Sequence, residues 1–136
     1  MGLFFHALQL ISNHVSFISG GDTLRNDTSV LTESTYYVLL SLTTPKHGYA
    51  MMQQIEQLTD GRVRMGPGTM YGVLKNLLEK GWIKIVEEAG RQKIYGLTKS
   101  GYEVCLAERA RLSQVLQHAN DLLKGATDEK IQTLPK

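Results

Sequence analysis

The chain has 136 residues, of which 42% are hydrophobic and 21% charged, and its formal net charge is +2. This length and composition are typical of one globular domain with a modest core. The single cysteine, Cys105, excludes an intramolecular disulfide and a cysteine-rich metal site, and it fits a reducing, cytoplasmic location. No apolar run approaches the roughly 18 residues that a membrane-spanning helix needs.

Residues 1–30 are expected to form an extension with an accessory helix and a linker. Polar residues interrupt the first 19 positions and no Lys or Arg precedes Arg25, so the pattern does not fit a secretory signal peptide. Residues 20–30 are rich in Gly, Asp, Asn, Thr and Ser, which is typical of a linker. The apolar residues of the first segment repeat at helical spacing: Leu3, Phe4, Ala7, Leu8, Ile11, Val15 and Ile18.

Three short helices are predicted next. The first begins at Thr32, whose hydroxyl can cap it, and ends at Thr43-Thr44-Pro45. The second begins after His47-Gly48 and ends at Asp60-Gly61. The third begins at the break Gly66-Pro67-Gly68, because proline is well tolerated in a first helical turn.

A β-hairpin and a long helix complete the predicted order. Residues 82–86 and 93–97 are β-rich runs, and the connection 87–92 contains a glycine. Residues 98–101 form a second break, after which one helix is expected from Tyr102 to about Leu123. The fold class is therefore α+β and mostly helical, with the helices and the hairpin in the order of a winged helix-turn-helix.

The third helix has an apolar face and a front that need not be buried. Hydroxyls can bind phosphate, while lysine and asparagine can read guanine and adenine edges. Tyr71 has an alternative place in the core. The candidates for facing a DNA groove are Thr69, Tyr71, Lys75 and Asn76.

Positive charge is clustered around this helix. Residues 62–99 contain eight basic and three acidic residues, a net charge of +5, whereas the rest of the chain has seven basic and ten acidic residues. Such clustering is typical of a nucleic-acid-binding face, although a solvated basic surface gives the same pattern. Arg91 at the hairpin tip, Lys93 after it and Arg64 before the third helix are further DNA-binding candidates.

The last helix has an apolar stripe that no second long helix of residues 31–124 would cover. The most economical partner is the same helix of a second copy, which predicts a two-fold homodimer. The alternative is packing against the first helix of its own chain. The predicted dimerisation residues are Leu112, Val115, Leu116, Ala119, Leu122 and Leu123.

No catalytic or metal-binding pattern is present. The four histidines are scattered and lack metal-ligand spacing, and the sequence contains neither a nucleotide-binding glycine loop nor a nucleophile elbow. We therefore predict no enzyme activity, no catalytic or metal-binding residue and no cofactor.

Trp82 is expected in core or hinge packing, with an effector pocket as the alternative. Cys105 is expected to be a small buried residue, with a redox switch as the alternative.

Five motifs occur in order along residues 31–124: the opening helix 31–40, His47-Gly48-Tyr49, Gly68-Thr69-Met70-Tyr71, Glu79-Lys80-Gly81-Trp82-Ile83 and Tyr95-Gly96-Leu97-Thr98-Lys99-Ser100-Gly101. Together they resemble the PadR-like transcriptional regulators, while residues 1–30 depart from the family pattern. MarR-like and ArsR-like proteins share variants of two of these motifs. The resemblance implies a dimeric DNA-binding repressor, and some relatives respond to small aromatic or drug-like molecules near the dimer interface.

The predicted organisation has four parts: the extension 1–30, a winged-helix DNA-binding domain at 31–101, a dimerisation helix at 102–124 and a flexible tail at 125–136. The predicted function is sequence-specific regulation of transcription, as a repressor released by a small effector. Its partners would be a double-stranded inverted repeat and a second copy of the chain, with no membrane. The alternative is a winged-helix module that binds a protein rather than specific DNA.

Overall fold

The computed structural model describes residues 31–126 and 131–132. The expected accessory helix and linker at 1–30, and most of the expected tail, lie outside the described residues. The elements are α1 (Glu33–Ser41), α2 (Gly48–Leu58), α3 (Pro67–Glu79), β1 (Ile83–Ala89), β2 (Gln92–Leu97) and α4 (Lys99–Lys124). This order confirms the predicted α+β, mostly helical fold. None of the helices in the described part is long and apolar enough to cross a membrane.

Local capping rules explain where the first three helices begin. The Thr32 hydroxyl oxygen accepts from the Thr35 N–H at 3.2 Å, and His47 Nδ1 accepts from the Ala50 N–H at 3.2 Å. Helix α3 begins at Pro67, with Gly66 as the residue before it. All three predicted starts are confirmed. The connection after α2 turns at Asp60 and Gly61, which have φ angles of 49° and 76°.

The core lies where the four helices and the sheet meet. Helix α3 contributes three side chains that are at most 1% exposed, which explains its apolar periodicity. Helix α4 enters this core close to the α3–β1 connection, since a Cβ atom at Gly101 would lie 1.9 Å from the Trp82 carbonyl oxygen. The largest fully buried side chains are Val38, Leu39, Leu42, Met51, Ile55, Met70, Leu74 and Leu77.

The hairpin is longer and its turn is tighter than the sequence predicts. Strands β1 and β2 pair in antiparallel register up to Ala89 and Gln92, so only Gly90 and Arg91 form the turn. Gly90 has a φ angle of 62°, as such a two-residue turn requires. The expected loop at 87–92 is wrong because Glu87 and Glu88 are solvent-exposed strand residues, whose polarity does not reveal a strand.

Two features adapt this hairpin to the rest of the fold. The register shifts between Ile85 and Glu87, which is a β-bulge that bends β1. Lys46 in the α1–α2 connection exchanges both backbone hydrogen bonds with Tyr95, at 3.1 and 3.0 Å. The base of the hairpin is therefore fixed to the helices, and its tip extends away from them.

Helix α4 begins at Lys99, three residues before the predicted start at Tyr102. Thr98 is its N-cap, because the Thr98 hydroxyl accepts from the Gly101 N–H at 3.1 Å and donates to the Gly81 carbonyl oxygen at 2.7 Å. The break expected at 98–101 is wrong for a physical reason. Gly101 serves close packing against Trp82 inside the first helical turn and does not interrupt the helix.

Candidate nucleic-acid interface

Helix α3 presents a polar face opposite the core. Met70, Leu74 and Leu77 are buried on its inner side. Tyr71 is 58% exposed, so its alternative place in the core is wrong. All four side chains predicted to face a groove are exposed: Thr69, Tyr71, Lys75 and Asn76.

These four side chains lie on two flanks of the helix. At 100° per residue, Thr69 and Asn76 share one flank, and Tyr71 and Lys75 share the other. Gly72 lies between the two pairs, where an added Cβ would meet no heavy atom within 4 Å. The centre of the outward face is therefore bare backbone with free space in front of it.

Other elements border each flank. On one side a groove separates α3 from the beginning of α1, and its lining includes Thr35, Asn76 and Trp82. On the other side, α2 begins close to Tyr71, since a Cβ atom at Gly48 would lie 3.9 Å from Tyr71 Cε1. The exposed face is thus continuous with the amino ends of both preceding helices.

Both arginines before α3 form ion pairs. Arg62 contacts Glu33 through two hydrogen bonds of 2.6 and 2.9 Å, which lowers the pKa of the Glu33 carboxyl group and raises that of Arg62. Arg64, predicted to bind DNA, lies 3.1 Å from a carboxylate oxygen of Glu56. These ion pairs are solvent-exposed and contribute little to the free energy of unfolding, so Arg64 can leave Glu56 for another anion at little cost in stability.

The remaining basic candidates have no carboxylate partner within the described part of the chain. Arg91 lies in the two-residue turn and Lys93 two residues later, and both side chains are exposed. Among residues 31–126, neither of them nor Lys75 belongs to an ion pair. Their charges are therefore available to an anionic partner.

Trp82 and Cys105 have structural positions. Trp82 is half-buried against the core, and the Lys80 ammonium lies 4.7 Å from the centroid of its ring. Trp82 also borders the groove beside α1. Cys105 is buried, as predicted, and burial raises the pKa of its thiol to about 11. The thiol is therefore protonated at neutral pH, which disfavours a redox switch.

Helix α4 is attached to the core by its first half. Tyr36 donates its hydroxyl hydrogen to the Cys105 carbonyl oxygen at 3.1 Å. Glu108, which is 8% exposed, accepts two hydrogen bonds from Arg111 at 2.7 and 2.9 Å. The pKa of Arg111 is raised by this hydrogen bonding. The Tyr36–Cys105 bond therefore joins the first half of α4 to α1, whereas the Glu108–Arg111 pair lies within α4.

The second half of α4 carries the predicted dimerisation stripe. Ala119 is half-buried, and the other five side chains are between 41% and 77% exposed. The alternative considered above, packing on the first helix of the same chain, holds for the first half of α4, which contacts α1, but not for the exposed side chains of the second half. The exposed side chains are Leu112, Val115, Leu116, Leu122 and Leu123.

One cluster escaped the reasoning from sequence. The His47 and Tyr49 rings are stacked, with centroids 6.5 Å apart and an interplanar angle of 14°. Gln53 Nε2 donates to the Tyr49 hydroxyl oxygen at 3.2 Å. The motif His47-Gly48-Tyr49 was visible in the sequence, but it indicated only a helix start. The spacing of Tyr49 and Gln53, one helical turn apart, was the signal for this cluster.

The family of the chain follows from its match to a model of a known protein family. The model of the transcriptional regulator PadR-like family matches residues 38–106, about half of the chain. The chain belongs to this family. PadR-like proteins regulate transcription and are not enzymes, which confirms the corresponding prediction. Within the described residues, no group of three His, Cys, Asp or Glu side chains is arranged to hold a metal ion.

Two curated relatives match the PadR-like part. The Escherichia coli transcriptional regulator YqjI is 32% identical over 80 residues, which are 59% of this chain and 39% of that protein. An uncharacterized 37.1 kDa protein in transposon Tn4556 of Streptomyces fradiae is 43% identical over 72 residues, covering 51% of this chain and 20% of that protein. The chain thus spans less than half the length of either relative.

Solved structures share the fold. A PadR-family regulator from Eggerthella lenta has a TM-score of 0.57 and 23% identity, covering 68% of this chain and 82% of that one. RosR from H. salinarum has a TM-score of 0.52 and 20% identity, covering 71% and 99%. These likenesses establish the winged-helix architecture.

Proposed function

We propose that the chain is a sequence-specific DNA-binding repressor, and that α3 enters the major groove while the Gly90-Arg91 turn contacts the flanking backbone or minor groove. PadR-like regulators bind DNA. The observation that carries the proposal is the exposed polar face of α3 together with three basic side chains that have no ion-pair partner among residues 31–126: Lys75, Arg91 and Lys93. Such a face gains affinity by releasing counterions from DNA.

Within this interface the residues have different roles. Lys75 and Asn76 are suited to base edges, because lysine pairs with guanine and asparagine with adenine. Thr69 and Tyr71 are suited to phosphate oxygens through their hydroxyl groups. Arg64 would exchange Glu56 for a phosphate, and Arg91 and Lys93 would follow the backbone beside the groove.

A second copy completes the proposed regulator. Apolar side chains that stay 41–77% exposed on one helix face support association through α4. A two-fold dimer would place its two α3 helices about 34–36 Å apart, so that they read an inverted repeat with half-sites about one turn apart. The apolar surface between two α4 helices is also suited to a small aromatic or drug-like effector that releases the repressor. A cytoplasmic location is consistent with this role.

Fluorescence anisotropy tests the assignment of the DNA-binding face. The probe is a labelled duplex from upstream of the chain's own coding region, titrated at two salt concentrations with unrelated duplex as competitor. The variant Tyr71→Ala, Lys75→Gln, Arg91→Gln is expected to lose binding while its thermal unfolding stays cooperative. The matched control removes one tyrosine ring and two positive charges from α4 instead: Lys99→Gln, Tyr102→Ala and Lys124→Gln.

The outcomes separate the two functions. Tight parental binding that resists competitor supports a sequence-specific regulator, and its weakening by a candidate effector supports release. Unchanged binding by the triple variant contradicts the assigned face. Weak, competitor-sensitive binding by the parent chain instead favours the protein-binding module, and partner capture with the parent chain would follow.

A further inference from the structure

An exposed tyrosine at the beginning of α2, Tyr49, is paired with a half-buried histidine, His47. Tyr49 is 60% exposed, although its ring stacks on that of His47. Neither ring belongs to the hydrophobic core cluster. An exposed tyrosine ring that lies nearly parallel to a half-buried imidazole is accessible to a partner outside the chain.

The hydrogen bonds that His47 and Tyr49 already accept show which of their atoms can still donate. His47 Nδ1 accepts from the Ala50 N–H, so the neutral imidazole carries its hydrogen on Nε2. The Tyr49 hydroxyl oxygen accepts from Gln53 Nε2, so the hydroxyl hydrogen points elsewhere. Among the described residues, neither the Nε2 hydrogen of His47 nor the hydroxyl hydrogen of Tyr49 has an acceptor.

The pair borders the proposed DNA-binding face. Gly48 lies between His47 and Tyr49 in sequence, and a Cβ atom there would lie 3.9 Å from Tyr71 Cε1. The nearest carboxylate along α2 is that of Glu56, which Arg64 neutralises at 3.1 Å. Two donors that lack acceptors among the described residues and lie near α3, with no free carboxylate on α2, suit an anionic oxygen.

We propose that His47 and Tyr49, with Gln53 holding the tyrosine hydroxyl, form a clamp for a phosphate of the DNA backbone beside the groove that α3 enters. This inference rests on the proposed DNA-binding function and adds positioning residues to it. Tyrosine and histidine donors to phosphate fix the register of a protein on the duplex without reading sequence. The clamp should therefore act on operator and unrelated DNA alike.

Two conservative variants remove the donors and keep the fold. Tyr49→Phe retains the ring and loses only the hydroxyl group. His47→Ser retains a side-chain acceptor for the Ala50 N–H, since serine is among the best N-cap residues, and its short hydroxyl group does not extend to the position of Nε2. Tyr102→Phe is the matched control, because Tyr102 is also exposed, at 53%, but lies on α4.

The measurement is anisotropy with two duplexes, one from upstream of the coding region and one of arbitrary mixed sequence at low salt. Each clamp variant is expected to raise Kd roughly ten-fold on both duplexes, which corresponds to ~1.4 kcal/mol for a lost hydrogen bond to a charged group. The slope of log K against log salt should stay at the parental value, because neutral donors release no counterions. Lys93→Gln, which removes a charge assigned to the DNA backbone, should instead reduce that slope by about 1.

Several results would overturn the clamp. Parental affinity in both variants, with unfolding transitions intact, refutes it and leaves the proposed function standing. An altered salt slope, or an equal loss in Tyr102→Phe, shows that the effect is not a local neutral contact. A parent chain that binds neither duplex removes the proposed function and the clamp together.

Discussion

Replacing Gly72 with alanine should stabilise the fold but weaken DNA binding, so one variant tests both the helix and the proposed interface. A methyl group at Gly72 would meet no heavy atom within 4 Å, and its backbone φ is not among the positive ones. Glycine in an exposed helix interior is ~0.8–1.0 kcal/mol less favourable than alanine. Nothing inside the described part of the chain offsets this cost, so Gly72→Ala should stabilise the fold by about that amount.

The same methyl group should weaken DNA binding. It would stand between the Thr69 and Asn76 flank and the Tyr71 and Lys75 flank, where the floor of the groove would approach α3. Moving the helix outward should cost at least one base contact, ~1–3 kcal/mol, so that Kd rises roughly ten-fold. In the absence of DNA, the stability gain of ~1 kcal/mol expected for Gly72→Ala should raise Tm by roughly 4–8 °C for a domain of this size.

The assay pairs thermal unfolding by circular dichroism with anisotropy on the same preparation. Ser113→Ala is the control, since Ser113 is exposed on α4 and is not a member of the apolar stripe. Alanine there also favours the helix but leaves the proposed DNA-binding face untouched. If Gly72→Ala binds the duplex with parental Kd, the face of α3 does not approach DNA closely. If it lowers Tm, the account of the helix is wrong.

Three further changes test the remaining parts. Leu116→Glu, at a side chain that is 63% exposed, should abolish a concentration-dependent dimer in sedimentation experiments while the helices stay folded, whereas Gln117→Glu should not. Gly101→Ala should destabilise the fold by ~1–3 kcal/mol or more in urea unfolding, because its Cβ would lie 1.9 Å from the Trp82 carbonyl oxygen. The control Gly125→Ala should be nearly neutral, because its Cβ would meet only the Leu122 carbonyl oxygen, at 3.8 Å. Burial raises the pKa of the Cys105 thiol from 9.0 in the unfolded chain to about 11 in the folded one. The protonated thiol therefore contributes its full share to the free energy of unfolding below pH 9, and this share is lost as the pH rises through 11. Cys105→Ala should remove this part of the pH dependence of unfolding, and a parental loss already at pH 8 would contradict it.

The parts of the fold set by neighbours in sequence could be predicted. Thr32 and Pro67 mark their helix starts through bonds and steric rules that act within one turn. The apolar face of α3 follows from its period alone. Such features need no knowledge of the rest of the chain.

The parts that depend on distant residues could not be predicted. Gly101 looked like a helix break because nothing in residues 98–101 reveals that Trp82 packs against it. Arg62 and Glu33 are 29 positions apart, so their ion pair is invisible in the sequence. Glu87 and Glu88 belong to a strand whose outer part is exposed, and exposure removes the apolar alternation that identifies strands.

The junction between α3 and α4 links the two proposed surfaces. The carbonyl group of Trp82 accepts from the Thr98 N–H at 3.0 Å and faces Gly101, so α4 leaves the core in a direction fixed by this contact. From Gly101 to Leu116 the helix extends about 22 Å, at ~1.5 Å per residue. A rotation of about 10° at the junction would move the far end by about 4 Å, comparable with the ~3.4 Å rise between base pairs. In the proposed dimer, a ligand that rotated this packing by about 10° would therefore place the two α3 helices out of register with an inverted repeat, without changing any side chain that contacts DNA.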